Sequence, residues 1–285
     1  MSEEIQALHV ISGLPRSGST LLSSLLSQNP DAYASISSPL LGAMLAVRNQ
    51  LNMADYSASS LIQEDEQLEL YRNMIKGYYA SRRGARKIIF DTNRLWTANL
   101  GLLHALSPNS KVIVCVRNMA AVLDSFERLF RVNPFVLPKL FGGPHEWGTV
   151  YSRVDTMILR DRQVGGPWIA LKEGLYSEHS SKLLLVEYDL LAQSPLQVLE
   201  QIYNFLGMTP YQGHHLDGLS LLDSEKVKVK QFDDNLGAPL LHQLKDEVRY
   251  ETRPSVLPPD LLTMLSDLNF WNSMDGTEAK MLRAT

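Results

Sequence analysis

The chain has 285 residues, 45% of them hydrophobic and 20% charged, with a formal net charge of −4. This ordinary globular composition can bury a large core without disulfides or metals, and no apolar run approaches the roughly 20 residues that span a bilayer. The acidic balance excludes general nucleic-acid binding, which needs a broad basic surface, but allows a local basic pocket for one nucleotide. The start, Met1-Ser2-Glu3-Glu4, lacks the basic and apolar regions of a signal peptide. Leu8 to Ser12 then read as a buried strand that ends in Gly13. From Ser19 the apolar positions Leu21, Leu22, Leu25 and Leu26 recur at helical spacing, and Pro30 ends the pattern. Helices are predicted over 39–51 and 64–82, and Ile88 to Phe90 is a strand ending at Asp91. A helix over 96–106 and a turn at Ser107-Pro108-Asn109-Ser110 follow. Val112 to Val116 is a strand buried on both faces. It carries the only cysteine, Cys115, as a core residue, so no intrachain disulfide forms and a reducing cytoplasm is the expected compartment.

A helix from Met119 to Phe130 comes next. Pro134, Pro138, Gly142-Gly143-Pro144 and Gly165-Gly166-Pro167 punctuate the middle, with a helix around 146–162. Leu183 to Val186 is a strand, 195–206 a helix stopped by Gly207, 208–258 mostly loop, and Pro259 to Leu268 a last helix. Strands alternating with helices imply an α/β fold of three layers, a parallel sheet flanked by helices, in one domain over 1–285. Segments 32–80 and 132–165 are the least regular parts beside the glycine loop and are expected to wall a substrate pocket. Their aromatics Tyr33, Tyr56, Phe135, Phe141, Trp147 and Tyr151 line a pocket or, by default, fill core.

The loop Gly13-Leu14-Pro15-Arg16-Ser17-Gly18-Ser19-Thr20 lies between strand and helix. Such a loop aims backbone N–H groups and a helix dipole at one point, which is a phosphate site. It has Walker A spacing, yet Ser19 stands where a nucleoside-triphosphate enzyme needs Lys. Arg16 supplies a fixed cation instead, and Ser17, Ser19 and Thr20 supply hydroxyls. A second anion site is expected at the carboxyl end of the strand 112–116. Arg117 faces the crevice there, and Ser125 follows two helical turns later. Arg128, one turn further, either joins this site or pairs with Asp124 on a solvated face.

Two phosphate sites of this kind resemble those of sulfotransferases that use 3′-phosphoadenosine 5′-phosphosulfate (PAPS). In that family Pro-Arg-Ser-Gly-Ser/Thr-Thr binds the 5′-phosphosulfate, matched here by Arg16, Ser17, Gly18, Ser19 and Thr20. The strand-end Arg and the Ser eight residues on bind the 3′-phosphate, matched by Arg117 and Ser125. Val186-Glu187-Tyr188-Asp189-Leu190, with Pro195 and Phe205-Leu206-Gly207, is similar to a third family stretch and implies Tyr188 near the adenine. Phe90 to Arg94 and Arg253 to Pro259 resemble a bacterial branch similar to tyrosylprotein sulfotransferases. Those enzymes carry Gly-Glu-Glu-Thr-Arg after the first helix. Here Ala34 to Pro39 holds no carboxylate, so the acceptor stays open between a small hydroxylated metabolite and a peptide tyrosine.

The resemblance implies a P-loop-like fold and in-line sulfuryl transfer from PAPS to an acceptor hydroxyl, leaving the product 3′-phosphoadenosine 5′-phosphate (PAP). It implies no metal; charge and the lack of a long apolar run already argue against nucleic acid and a membrane span, and a homodimer is left open. Arg16 is assigned to the leaving phosphate and Arg94 to a second cation there. Asp91 is the first candidate base, and its other reading is a helix cap or partner of Arg94. His104 reads as structural. His9, His145, His179, His214, His215 and His242 show no metal-ligand spacing. Lys226, Lys228 and Lys230 would share one face of an extended segment, either closing over the 3′-phosphate or forming a solvated edge. A P-loop kinase for a small molecule and a non-catalytic nucleotide-binding protein are the alternatives.

Overall fold

The computed structural model describes residues 5–52, 60–132, 139–236 and 242–283. The chain opens with β1 (Ala7–Gly13), α1 (Ser19–Leu26), β2 (Ala32–Ala34), α2 (Leu40–Leu51) and α3 (Glu64–Ala80). Next come β3 (Ile88–Thr92), a 3₁₀ turn (Arg94–Asn99), α4 (Leu100–Leu106), β4 (Val112–Val116) and α5 (Met119–Val132). The middle holds α6 (Pro144–Trp147), α7 (Val150–Ile158) and α8 (Gly165–Leu175). The rest comprises β5 (Leu183–Glu187), α9 (Tyr188–Gln193), α10 (Pro195–Leu206), α11 (Asp223–Leu236), α12 (Pro259–Ser266) and β6 (Lys280–Met281).

The strands form one parallel sheet in the order β2-β3-β1-β4-β5-β6. β1 lies between β3, with Ile11 beside Thr92, and β4, with Gly13 beside Cys115. The strand order reverses about β1, so the crevice beyond its carboxyl end is where such a sheet binds a ligand. Successive strand residues feed two cores. Val10, Val112, Val114 and Leu185 pack on one face with Leu103, Val122 and Leu171. Ile11, Ile113, Cys115 and Val186 pack on the other with Leu22, Leu25 and Ile202. Each fully buried leucine contributes about 2 kcal/mol. Among the described residues, no helix is long and apolar enough to cross a membrane.

Several local readings need correction. Gly165-Gly166-Pro167 does not break the chain but opens α8. Pro is tolerated in a first turn, where N–H groups have no intrahelical partner. A Cβ at Gly165 would lie 2.2 Å from the carbonyl oxygens of Ile158 and Leu159, so only glycine allows this close turn. The helix expected over 146–162 is split into α6 and α7, and that over 96–106 starts as the 3₁₀ turn. β2 and β6 are short edge strands that the sequence pattern does not reveal. Finally, the expected loop 208–258 contains α11. Its lysines therefore do not share an extended face. Lys226 pairs with Asp223 at 2.9 Å and Lys228 with Glu225 at 2.8 Å. Glu225 is buried and also accepts hydrogen bonds from the Tyr33 hydroxyl (2.6 Å) and the Ile36 N–H (3.1 Å), pinning α11 to the β2 edge.

Candidate functional site

The glycine loop is shaped by backbone conformations that its sequence makes affordable. Gly13 has φ 108°, and a Cβ there would meet the Cys115 carbonyl oxygen at 2.1 Å. Gly18 has φ 89°, and its Cβ would lie 2.9 Å from the Tyr188 ring. Arg16 has φ 60°, the only positive φ outside glycine among the described residues. A left-handed non-glycine residue costs about 1–3 kcal/mol and persists only where its surroundings demand it. Here that conformation lets the Arg16 Nε donate to Ser125 Oγ at 3.0 Å while its carbonyl accepts from Arg117 Nη1 at 3.2 Å. The predicted first and second anion sites are thus physically joined through Arg16. Asn118 starts α5 by accepting from the Ala120 N–H at 2.9 Å, which sets Ser125 two turns on.

Arg16, Gly18, Ser19, Thr20, Arg94, Arg117, Ser125 and Tyr188 all line one cleft of about 230 Å³. Ser17 does not, because its buried hydroxyl donates back to the Pro15 carbonyl at 3.3 Å. The Arg117 guanidinium lies 4.2 Å from the centre of the Tyr188 ring, a cation–π contact. A recess of about 190 Å³ continues past Arg117 and Ser125 to Arg128 and Arg253. Arg128 is already engaged there, by Asp124 at 2.7 Å and the Pro254 carbonyl at 2.5 Å. Both of its sequence readings hold in part: it is ion-paired, and it faces the recess. Burial and the neighbouring guanidinium push Arg94 down to about 10, and burial with Arg117 lowers Arg16, yet both remain cations at neutral pH.

A second cleft, of about 270 Å³, opens on the other side of the loop between Ile36, Ser37, Asn93, Leu95, Arg162 and Pro167. Ile36 and Ser37 belong to the expected segment 32–80, and Arg162 to 132–165. Among the described residues, the aromatics named for a pocket or for core do not line this cleft. Tyr33 is core and Tyr151 exposed, while Phe141 and Trp147 line neither cleft; Tyr56 and Phe135 lie outside the described residues. The two clefts share Ser19, Arg94, Gln163 and His242.

His242 and Gln163 escaped the sequence reading. The Nδ1 of His242 lies 2.6 Å from Asp233 Oδ1, and its backbone N–H donates to Asp233 Oδ2 at 3.0 Å. Asp233 is buried. A carboxylate only accepts, so Nδ1 carries the proton and Nε2 keeps a basic lone pair. Burial lowers the imidazole pKa, Asp233 opposes this, and Arg94 and Arg16 lower it further; the net direction is down, so the ring is neutral at pH 7.

Asp91, the expected base, lines neither cleft. It is fully buried, accepting from Trp96 Nε1 at 2.6 Å and from the Tyr79 hydroxyl. Burial pushes its pKa up, against hydrogen bonds from Ser38, Trp96 and Tyr79. It is a strut between β3, α3 and the 3₁₀ turn, not a group that reaches a substrate. His104 is exposed, lines neither cleft and has its ring 4.6 Å from that of His179.

A glycine loop running into α1 at the switch point of a parallel sheet, with a second cationic recess beyond it, defines an α/β protein of the P-loop-like class. Residues 10–212 match the family model described as the sulfotransferase family, and the chain belongs to that family. Nodulation protein NoeE of Sinorhizobium fredii (strain NBRC 101917 / NGR234) is 28% identical over 230 residues, 74% of this chain and 53% of that protein. The chain thus spans about half the length of that curated relative. Similar solved structures include the sulfotransferase domain of the Synechococcus PCC 7002 olefin synthase, at 20% identity and TM-score 0.46, covering 93% of this chain and 94% of that one. Mouse sulfotransferase SULT7A1 complexed with PAP is another, at 16% identity and TM-score 0.46, covering 97% and 88%.

Proposed function

We propose that the protein is a PAPS-dependent sulfotransferase, holding the donor along the first cleft and passing its sulfuryl group to an acceptor hydroxyl in the second. The observation that carries this reading is the shared junction of Ser19, Arg94, Gln163 and His242, where two clefts of different character meet. The residues present fit such a donor. Arg117 Nε is buried with no hydrogen-bond partner among the described residues, a donor left for an anion. Gly18 lets the loop approach the Tyr188 ring closely, where a Cβ would collide with it at 2.9 Å. Arg117 and Ser125, with Arg253 at the rim, suit the 3′-phosphate, and Tyr188 suits the adenine side. Bound PAPS supplies a sulfur whose bond to the phosphate oxygen breaks as the bond to the acceptor oxygen forms. Arg16, Ser19 and the α1 N-terminus balance charge on the leaving phosphate, and Arg94 does so on the equatorial oxygens. His242 Nε2 takes the acceptor proton while Asp233 holds the ring. The lone buried Cys115 supports a cytoplasmic setting.

Isothermal titration tests the donor assignment. PAP should bind without magnesium and ATP weakly, and labelled PAPS should pass its sulfate to a hydroxyl acceptor. Tight, magnesium-dependent ATP binding with no response to PAP would instead support a kinase.

A further inference from the structure

Gln163 is the group at the junction that the donor does not explain. It sits in the turn between α7 and α8, and its backbone is fixed from both sides. Before it, Arg162 is ion-paired to Glu146 at 2.6 Å. After it, Val164 is fully buried with its N–H on the Met157 carbonyl at 3.1 Å, and Gly165 presses against the carbonyls of Ile158 and Leu159. Its side-chain amide has no hydrogen-bond partner among the described residues, although it lines both clefts. The side chain is half-buried, so in the free protein it is hydrated and can exchange that water for a ligand group.

The chemistry of that ligand follows from the amide. The anionic end of the donor is served by pure donors, the guanidinium groups of Arg16 and Arg94. An amide both donates and accepts, and its complement is a neutral hydroxyl, which does the same. The second cleft has the same character. Ser37 and Asp161 bring further polar groups, and no Phe, Tyr or Trp lines it among the described residues. His242, taken as the base, is the one aromatic ring on its wall among the described residues, so a flat phenol would find no Phe, Tyr or Trp to stack on.

We propose that Gln163 selects the acceptor by hydrogen-bonding a second hydroxyl beside the one that is sulfated, so that the acceptor is a polyol and not a monohydric alcohol or phenol. This rests on the donor reading above. The test is labelled-PAPS transfer to vicinal diols and methyl glycosides, each paired with its analogue lacking the neighbouring hydroxyl, with 2-naphthol alongside. PAP affinity is titrated in parallel. We expect kcat/KM to fall at least about tenfold when the neighbouring hydroxyl is lost, because the amide is then left unpaired. Gln163→Leu should bring that ratio close to one through a higher KM for the polyol, with PAP affinity kept, and Gln163→Glu, which retains an acceptor oxygen, should restore part of it. Equal rates within each pair, turnover confined to 2-naphthol and mono-alcohols, or an unchanged ratio in Gln163→Leu would overturn the proposal while PAP still binds. Loss of PAP affinity in Gln163→Leu would also overturn it, by making the residue structural. Failure of the parent protein to bind PAP would instead strike the donor reading on which it rests.

Discussion

His242 meets Asp233 through both a side-chain contact at 2.6 Å and a backbone N–H at 3.0 Å, so one carboxylate fixes the ring and the chain that carries it. A base held this way should be removable without loss of donor binding. We expect His242→Ala to lower kcat by about 10²–10⁴-fold, and Asp233→Asn to lower it less. The double variant should be little worse than His242→Ala, since the pair acts as a unit. Single-turnover transfer from labelled PAPS, with PAP titrations, checks this. Loss of PAP affinity matching the loss of rate would show that His242 only shapes the pocket.

The same pair sets a pH profile. The base form of His242 is the active one, and burial with Arg94 and Arg16 lowers its pKa below the ordinary 6.5. The kcat/KM, which reports the free enzyme, should therefore be flat through neutral pH and fall only as pH drops through a point below 6.5. Asp233→Asn removes the group that opposes this depression, so the acidic limb should move to still lower pH. A kcat/KM profile whose acidic limb sits above 6.5, or moves up in Asp233→Asn, would contradict the assignment.

The donor cleft predicts a different signature for its arginines. Arg117 supplies a buried Nε, a hydrogen bond to the Arg16 carbonyl and the stack on Tyr188. A charge-assisted hydrogen bond contributes about 1.5–3 kcal/mol, so Arg117→Ala should weaken PAP binding about 10–100-fold. Arg16→Ala should lose both affinity and rate, because it lies in the loop and bonds Ser125. Titration of adenosine 5′-monophosphate beside PAP separates the subsites. Arg117→Ala should erase the preference for the 3′-phosphate, and an intact preference would remove Arg117 from that role.

What could be read from sequence was written locally. Gly13 and Gly18 are required by backbone φ, Arg117 and Ser125 by a strand end and a helix period, and all fall within short stretches of chain. Gln163 and His242 were not legible because tertiary contacts place them. The turn holding Gln163 depends on carbonyls meeting at Gly165, and Gly-Gly-Pro alone reads as punctuation. α11 shows the same limit. Lys-Val-Lys-Val-Lys has the period of a strand, yet Glu225, buried against Tyr33 and Ile36, holds a helix there, and Val227 is left 62% exposed. Asp91 misled for the opposite reason. A carboxylate at a strand end looks like a base, but Tyr79 and Trp96, distant or hidden in pattern, enclose it.

Asp91 offers a direct check of that correction. Its removal leaves two buried donors, the Tyr79 hydroxyl and the Trp96 N–H, without their acceptor. Each unsatisfied buried donor costs about 1–3 kcal/mol, so Asp91→Ala should lower the melting temperature markedly. At a temperature where it is still folded, the kcat of Asp91→Asn should stay within an order of magnitude of the parent. A rate loss like that of His242→Ala, with stability intact, would return Asp91 to the role of base.

His9 gives the last expectation, on stability. It is 5% exposed on β1, its Nδ1 accepts from the Lys111 N–H at 3.3 Å, and burial with the Lys111 charge depresses its pKa from 6.5 to about 4. In the unfolded chain the ring takes up a proton near 6.5, and in the folded protein only near 4. Protons therefore favour the unfolded chain between those two values. The neutral ring's contribution is fully present above 6.5 and is lost as pH falls through the window to about 4. A displacement of that size corresponds to about 3 kcal/mol. Denaturant unfolding from pH 7.5 to 4 should show the loss, and His9→Gln, which keeps an acceptor for the Lys111 N–H but cannot titrate, should flatten it. An equal slope in the variant would assign the acid sensitivity to other groups, His242 and His214 being the next two with depressed values.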